Sequence, residues 1–241
     1  MLKYKIADII VELKQDYPET ASWYREYIYS GDEPPEVSLE AKHEEIDYYT
    51  ENGVDITPAI AENIVLCSKF NSYILRYYGC FIHSSAMLFD NKVYLFSASS
   101  GVGKSTHTQK WQARFKNRVT IINDDKPSIR IIDGKCFVYG TPFAGGTNKQ
   151  CNISAELGAL VFLNRGETNS LEKISPMVAI SLLLEQTHKY KSEKFINRQL
   201  DILSEVLEKY PAYLLKCNMD DSAVDTAFGI IKDGKDFKNE D

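Results

Sequence analysis

The chain has 241 residues and a net charge of −6 at neutral pH, a balance that argues against the basic face of a nucleic-acid binder. No run of like charge is long enough for a basic arm, and no apolar run approaches the roughly 20 residues of a membrane span. Residues 1–6 lack the apolar core and cleavage site of a signal peptide.

Residues 3–13 alternate as a first strand, and 21–28 suit a short aromatic helix. Residues 31–35, Gly-Asp-Glu-Pro-Pro, form a turn or linker, and 36–41 alternate as a second strand. The acidic, Tyr-rich stretch 43–53 reads as a surface helix or loop, with His43 solvated. Thr57 as N-cap and Pro58 at the first helical position start a helix. Ile60, Ile64, Cys67, Phe70, Ile74 and Leu75 make its apolar stripe, and Gly79 ends it. Residues 1–79 therefore form a small N-terminal α+β portion without a catalytic constellation. It packs on the rest, binds a substrate or makes an oligomer contact.

Residues 81–89 and 93–96, joined by Asp90-Asn91, read as a hairpin. A glycine loop and a helix over 106–115 follow. Residues 118–122 are a buried strand that stops at Asn123-Asp124-Asp125-Lys126-Pro127. Residues 128–132 and 135–139 flank Asp133-Gly134, a strong hairpin signal. Residues 140–150 carry three glycines and one proline and read as a mobile, functional loop. Residues 159–163 are another buried strand. Ser175-Pro176 starts a helix towards His188, whose charge would complement the helix dipole. A second helix over 193–209 shows Ile196, Leu200, Leu203 and Leu207 on one face, and Pro211 closes it. A last strand, 213–217, and a last helix, 222–232, complete a core over 80–234, and 235–241 is a charged, flexible tail. The five cysteines, odd in number and scattered, read as reduced thiols of a cytoplasmic protein.

The organising stretch is Ser97-Ala98-Ser99-Ser100-Gly101-Val102-Gly103-Lys104-Ser105-Thr106, set between a strand and a helix. That is the context of a phosphate-binding P-loop, the Walker A pattern G-x-x-x-x-G-K-[ST], with Ala98 at the first glycine position. Ser100, Gly101, Val102, Gly103, Lys104, Ser105 and Thr106 would cradle the phosphates with backbone N–H groups and the helix N-terminus. Lys104 would reach the β- and γ-phosphates, and Ser105 would join the shell of a Mg²⁺.

Asp124 and Asp125 form the second site. Adjacent carboxylates at the end of a buried strand are costly unless something positive meets them, and a metal on a nucleotide would do so. One carboxylate can hold the metal while the other takes a proton from an attacking hydroxyl. His83, placed on the strand that pairs with the one feeding the loop, reads from spacing alone as a partly buried strand histidine with a satisfied hydrogen bond; at the correct strand end it would orient or tune a catalytic carboxylate. His107, in the first turn of the loop helix, reads as structural or solvent-facing.

These three motifs, His83, Ser100-Gly101-Val102-Gly103-Lys104-Ser105 and Asp124-Asp125, resemble those of the HPr kinase/phosphorylase-like kinases. Those enzymes share a nucleotide core with ATP-dependent phosphoenolpyruvate carboxykinase. The chain looks like short bacterial relatives that lack the regulatory domain, some of which phosphorylate peptides, including lasso-peptide precursors. The resemblance covers roughly residues 81–163. It implies an α/β fold: a mixed β-sheet P-loop core of the HPr kinase/phosphoenolpyruvate carboxykinase type with the small N-terminal α+β portion. It implies an ATP-binding phosphotransferase in which Lys104 binds the transferring phosphate, Ser105 and Asp124 hold Mg²⁺, and Asp125 is the base with His83 beside it. The Glu-Ile-Arg-Gly segment that helps hold metal in those kinases has no match here. The loop 141–150 stands in its place, with Thr147, Asn148 or Lys149 as substrate contacts.

The expected activity is Mg-dependent transfer of a phosphoryl group from ATP, or a similar nucleoside triphosphate, to a hydroxyl on a protein, peptide or small molecule. The alternative is a non-catalytic nucleotide-binding partner in a peptide-modification or regulatory cassette. A carboxykinase-like reaction ranks below both, because it needs further cationic groups and a longer chain. No nucleic acid or membrane is expected as a partner. Acceptor, nucleotide base and homo-oligomer formation are left open.

Overall fold

Two-residue turns between short β-branched and aromatic runs set most of the architecture. A computed structural model describes residues 2–144 and 149–236. Strands β1 (Leu2–Ile6) and β2 (Ile9–Lys14) pair antiparallel, so the single strand expected over 3–13 is a hairpin. Ala7 and Asp8 both take positive φ, 50° and 57°, the primed turn that matches strand twist. Without Gly or Asn, that turn left no signal in the sequence.

Helix α1 (Pro18–Trp23) follows, and β3 (Val37–Glu40) lies parallel to β2 in a three-stranded sheet ordered β1-β2-β3. The acidic stretch forms α2 (His43–Asn52). Helix α3 (Pro58–Ile74) begins as expected: the Thr57 side chain accepts a hydrogen bond from the Ile60 N–H, and Pro58 sits in the first turn. It ends earlier than expected. A short 3-10 turn follows Ile74, and Tyr78, at φ 52°, makes the left-handed reversal assigned to Gly79.

Gly79 instead opens the large sheet in β4 (Gly79–Phe81). Then come β5 (Ser84–Phe89), β6 (Lys92–Ser97), α4 (Lys104–Phe115), β7 (Val119–Asn123), β8 (Ser128–Ile132) and β9 (Lys135–Tyr139). The remainder is β10 (Ser154–Arg165), β11 (Ser170–Ile174), α5 (Pro176–Glu185), α6 (Glu193–Lys209), β12 (Ala212–Cys217) and α7 (Ser222–Asp236). Helix α7 thus runs into the expected tail, and residues 237–241 lie outside the described residues. The mixed sheet is ordered β4-β8-β9-β10-β6-β5-β7. Strand β10 organises it. Its first residues pair antiparallel with β9, its last pair parallel with β12, and β6 runs parallel along the other edge. Strand β11 adds to β12.

Successive residues of a strand face opposite sides. Leu95 and Leu160 therefore join Leu183, Ile202 and Val206 under α5 and α6, while Phe96 and Val161 join Trp111, Val224 and Ala227 under α4 and α7. A third buried cluster ties the N-terminal sheet and α3 to Phe81, Tyr139 and Phe143 of the larger unit. All five cysteines are free thiols. Among the described residues, no helix is long and apolar enough to cross a membrane.

Candidate functional site

Strand β6 delivers the chain into the glycine loop, and α4 carries it away. Gly101 and Gly103 have φ of 77° and 122°, a region that side-chain-bearing residues enter only under strain. A Cβ on either would meet no heavy atom of the described residues within 4 Å, so backbone conformation rather than crowding calls for glycine. Helix α4 starts at Lys104, before the expected residue 106, because Gly103 serves as its N-cap without a side-chain hydrogen bond. Lys104, Ser105 and Thr106 thus occupy the first turn, whose N–H groups have no intrahelical acceptor. Lys104 is 8% exposed, and its ammonium donates to the Ala98 carbonyl at 2.9 Å. Arg165, at the end of β10, donates to the Gly101 carbonyl at 2.6 Å.

The acidic pair leaves β7 in a turn built by Asn123, which is fully buried. Its Oδ1 accepts from the backbone N–H groups of Asp125 and Lys126, at 2.9 and 2.7 Å. Its Nδ2 donates to the carbonyl and hydroxyl of Thr141. The two carboxylates then diverge. Asp124 is 5% exposed, and neither of its side-chain oxygens has a hydrogen-bond partner among the described residues. Asp125 Oδ2 accepts from the Lys126 ammonium at 2.5 Å, while its Oδ1 stands 3.5 Å from His83 Nε2.

His83 is not on a strand, as the sequence reading had it. It occupies the irregular step between β4 and β5, where its N–H donates to the Gln186 carbonyl and its carbonyl accepts from Ser97 Oγ. Its Nδ1 is 3.1 Å from Gln186 Oε1. Burial lowers the His83 pKa, the Lys104 and Lys126 charges lower it further, and Asp125 opposes them without prevailing. Burial also lowers the Lys104 pKa, against the pull of Asp125 and Asp124. Burial acts in the same sense on Lys126, but Asp125 beside it prevails and holds that pKa above the ordinary lysine value. The charges of Lys104 and Asp125 thus act on His83, and those of Asp125 and Asp124 on Lys104.

A cavity of about 810 Å³ opens beside this cluster. His83, Asp125 and Lys126 line one end, and residues of α3 line a wall. Asp124 and Lys104 are not among its lining residues. Asn123, Thr141, Lys126, Gln186 and Arg165 went unnoticed in the sequence. Lys126 had a signal, as a cation next to two carboxylates, whereas Gln186 and Arg165 arrive from distant elements with none. Thr147 and Asn148 lie outside the described residues, and the Lys149 carbonyl accepts the Asp124 N–H. His188 lies beyond the end of α5. Its ring lies 4.6 Å from that of Tyr190, and partial burial lowers its pKa.

Among the described residues no cluster of three or more His, Cys, Asp or Glu side chains gathers as a metal cage. Mg²⁺ does not need one, since it commonly takes one or two carboxylates and fills its shell with phosphate oxygens and water. Buried oxygens without hydrogen-bond partners on Asp124, near enough to Lys104 for its charge to act there, fit a phosphate-borne cation.

No protein-family model and no curated protein matches the chain. Among solved structures, the HPr(Ser) kinase/phosphatase from Coxiella burnetii is similar over 66% of this chain and 99% of that chain, at 10% identity and a TM-score of 0.40. The likeness is distant.

Proposed function

We propose that the chain is a Mg-dependent phosphotransferase that moves a phosphoryl group from ATP, or a similar nucleoside triphosphate, to a hydroxyl. The observation that carries this reading is the division of labour at Asp124-Asp125. One carboxylate is buried with its oxygens unpaired, and the other is ion-paired and lines a cavity. Ser105 and Asp124 would hold Mg²⁺, which supplies charge neutralisation at the phosphates. Lys104 adds a fixed positive charge from the first turn of α4, and Gly101 and Gly103 turn backbone N–H groups inward.

Asp125 takes the proton of the acceptor hydroxyl. In the tautomer that donates from Nδ1 to Gln186, neutral His83 presents the Nε2 lone pair to Asp125 and accepts from the carboxyl once it is protonated. Lys126 holds the carboxylate from its other oxygen and limits its rotation. In this reading Asp125, not Asp124, is the base, because only Asp125 borders the cavity.

The test combines binding and turnover. At 100 times its Kd, Mg-ATP should stabilise the wild type by about 2.7 kcal/mol, a visible rise in melting temperature. Lys104→Ala should lose that rise. Asp125→Asn should keep it while losing transfer of labelled phosphate, by a factor on the order of 10² to 10⁴ for a missing general base. If Mg-ATP binds but neither protein turns over with any acceptor, the chain is a nucleotide-binding partner rather than a kinase.

A further inference from the structure

The cavity next to Asp125 lies where the N-terminal portion meets the larger unit, and its walls specify a kind of acceptor. Trp23 from the end of α1, Tyr49 from α2 and Ile60 and Ile64 from α3 face Phe81 and Phe143 of the larger unit. At about 810 Å³ it falls within the range, about 300–1,000 Å³, of pockets that enclose single small molecules. The charged side chains that line it are few. Asp125 and Glu185 are acidic, Lys126 is engaged by Asp125 at 2.5 Å, burial lowers the pKa of the two lining histidines, His83 and His188, and no arginine is among the lining residues. A substrate carboxylate or phosphate would enter without a spare fixed cation to meet it, at a desolvation cost that pockets for such groups normally offset with Arg or Lys.

We propose that this cavity is the acceptor site, and that it takes a neutral small molecule carrying a hydroxyl on an aromatic or apolar body. The N-terminal portion is then the specificity wall of the enzyme. The proposal rests on the phosphotransferase reading for its chemistry and on the cavity alone for its ligand class. The acceptor oxygen bonds to the γ-phosphorus as the bond from phosphorus to the bridging oxygen breaks. The hydroxyl proton passes to Asp125, and the nucleoside diphosphate leaves with the bridging electron pair. Asn63, Ser68 and Asn71, on the α3 wall, supply neutral hydrogen-bonding groups for the rest of the molecule.

The chain carries two tryptophans. Trp23 lines the cavity, whereas Trp111 of α4 is buried in a different cluster, so Trp23 emission reports occupancy. Matched probes separate the ligand classes: tyrosol and N-acetyltyrosinol against their carboxylates, 4-hydroxyphenylacetate and N-acetyltyrosine. The alcohols should change Trp23 emission saturably, the carboxylates should bind about tenfold or more weaker, and Trp23→Phe should abolish the signal. Ile64→Arg should weaken the alcohols by about tenfold or more while keeping the Mg-ATP melting shift. Ile60→Arg, at a residue already 37% exposed, repeats the test where folding is not at stake. Equal or tighter binding of the carboxylates, no binding of either alcohol, or full binding by both arginine variants overturns the proposal. Loss of the Mg-ATP shift in the wild type would instead remove the phosphotransferase reading and leave the cavity result standing.

Discussion

His107 sits in the first turn of α4 beside the glycine loop, buried, and accepts a hydrogen bond at Nε2 from the Trp111 indole N–H at 3.0 Å. A protonated Nε2 has no lone pair to accept with, so burial and this bond both favour the neutral ring. Burial drives the His107 pKa from 6.5 to about 4, and Lys110 adds to the effect. The unfolded chain takes up its proton near pH 6.5, and the folded chain resists until about pH 4. Stability from this residue is therefore full above pH 6.5 and is lost as pH falls towards 4. The loss amounts to about 3 kcal/mol, at about 1.4 kcal/mol per pH unit. His107→Leu should cost stability at pH 7 through the lost bond, yet close on the wild type by about 3 kcal/mol between pH 7 and 4 in urea titrations. Parallel pH profiles would show that His107 is not the titrating group. At this scale the sequence is informative where candidate residues are neighbours: Lys104 and the pair Asp124-Asp125 stand out by spacing, and the fold brings them within reach of one another's charge. It is silent where a role depends on a distant partner. Nothing near Gln186 in the sequence says that its amide meets His83, and nothing near Arg165 says that it reaches Gly101.

Elements whose turns are written in residue type were legible, and those whose turns are held by context were not. Asp90-Asn91 and Asp133-Gly134 both take the positive φ that their composition announces, whereas Ala7-Asp8 takes it without announcing it. Strand β11 went unnoticed because it lies outermost and alternates weakly, its burial coming from pairing with β12. The turn after β7 belongs to the second group. Asn123 there looks like an ordinary strand end in sequence, but its side chain replaces the hydrogen-bond partners that the ladder no longer provides. Asn123→Ala would leave the Asp125 and Lys126 N–H groups and the Thr141 carbonyl short of their partners. At about 1–3 kcal/mol for a buried group left unsatisfied, partly relieved by water, the cost should be about 3 kcal/mol in urea unfolding. Because that turn aims both carboxylates, Asp124 towards the cation and Asp125 towards the acceptor, the variant should also weaken the Mg-ATP melting shift and slow phosphoryl transfer. A variant as stable as wild type would mean that the turn is fixed by the strands alone.

Across the whole molecule, the sequence suggested a boundary near residue 79, and the backbone does change there from α3 to the large sheet. The packing does not divide so simply. Phe143 sets its ring edge-on or tilted against both portions, 5.7 Å from Tyr24 and 6.1 Å from Phe70 of one and 5.4 Å from Phe81 of the other. Arg130 of β8 donates to the Ala7 carbonyl in the N-terminal turn at 2.6 Å. Uncovering Phe81, Tyr139 and Phe143 would return three buried aromatic side chains to water, each worth about 1.5–3 kcal/mol. That sum is comparable with the whole stability of an ordinary domain, about 5–15 kcal/mol, so neither portion has the margin to stand while the other unfolds. The two tryptophans allow a direct test, since Trp23 lies in the N-terminal portion and Trp111 in α4. In Trp111→Phe, urea unfolding followed by Trp23 emission should coincide with the far-ultraviolet circular dichroism. In Trp23→Phe the emission of Trp111 should do the same. A Trp23 transition at clearly lower urea than the dichroism would mean that residues 1–79 open independently. The cavity wall that α3 supplies would then be a movable cover over Asp125 rather than a fixed part of the site.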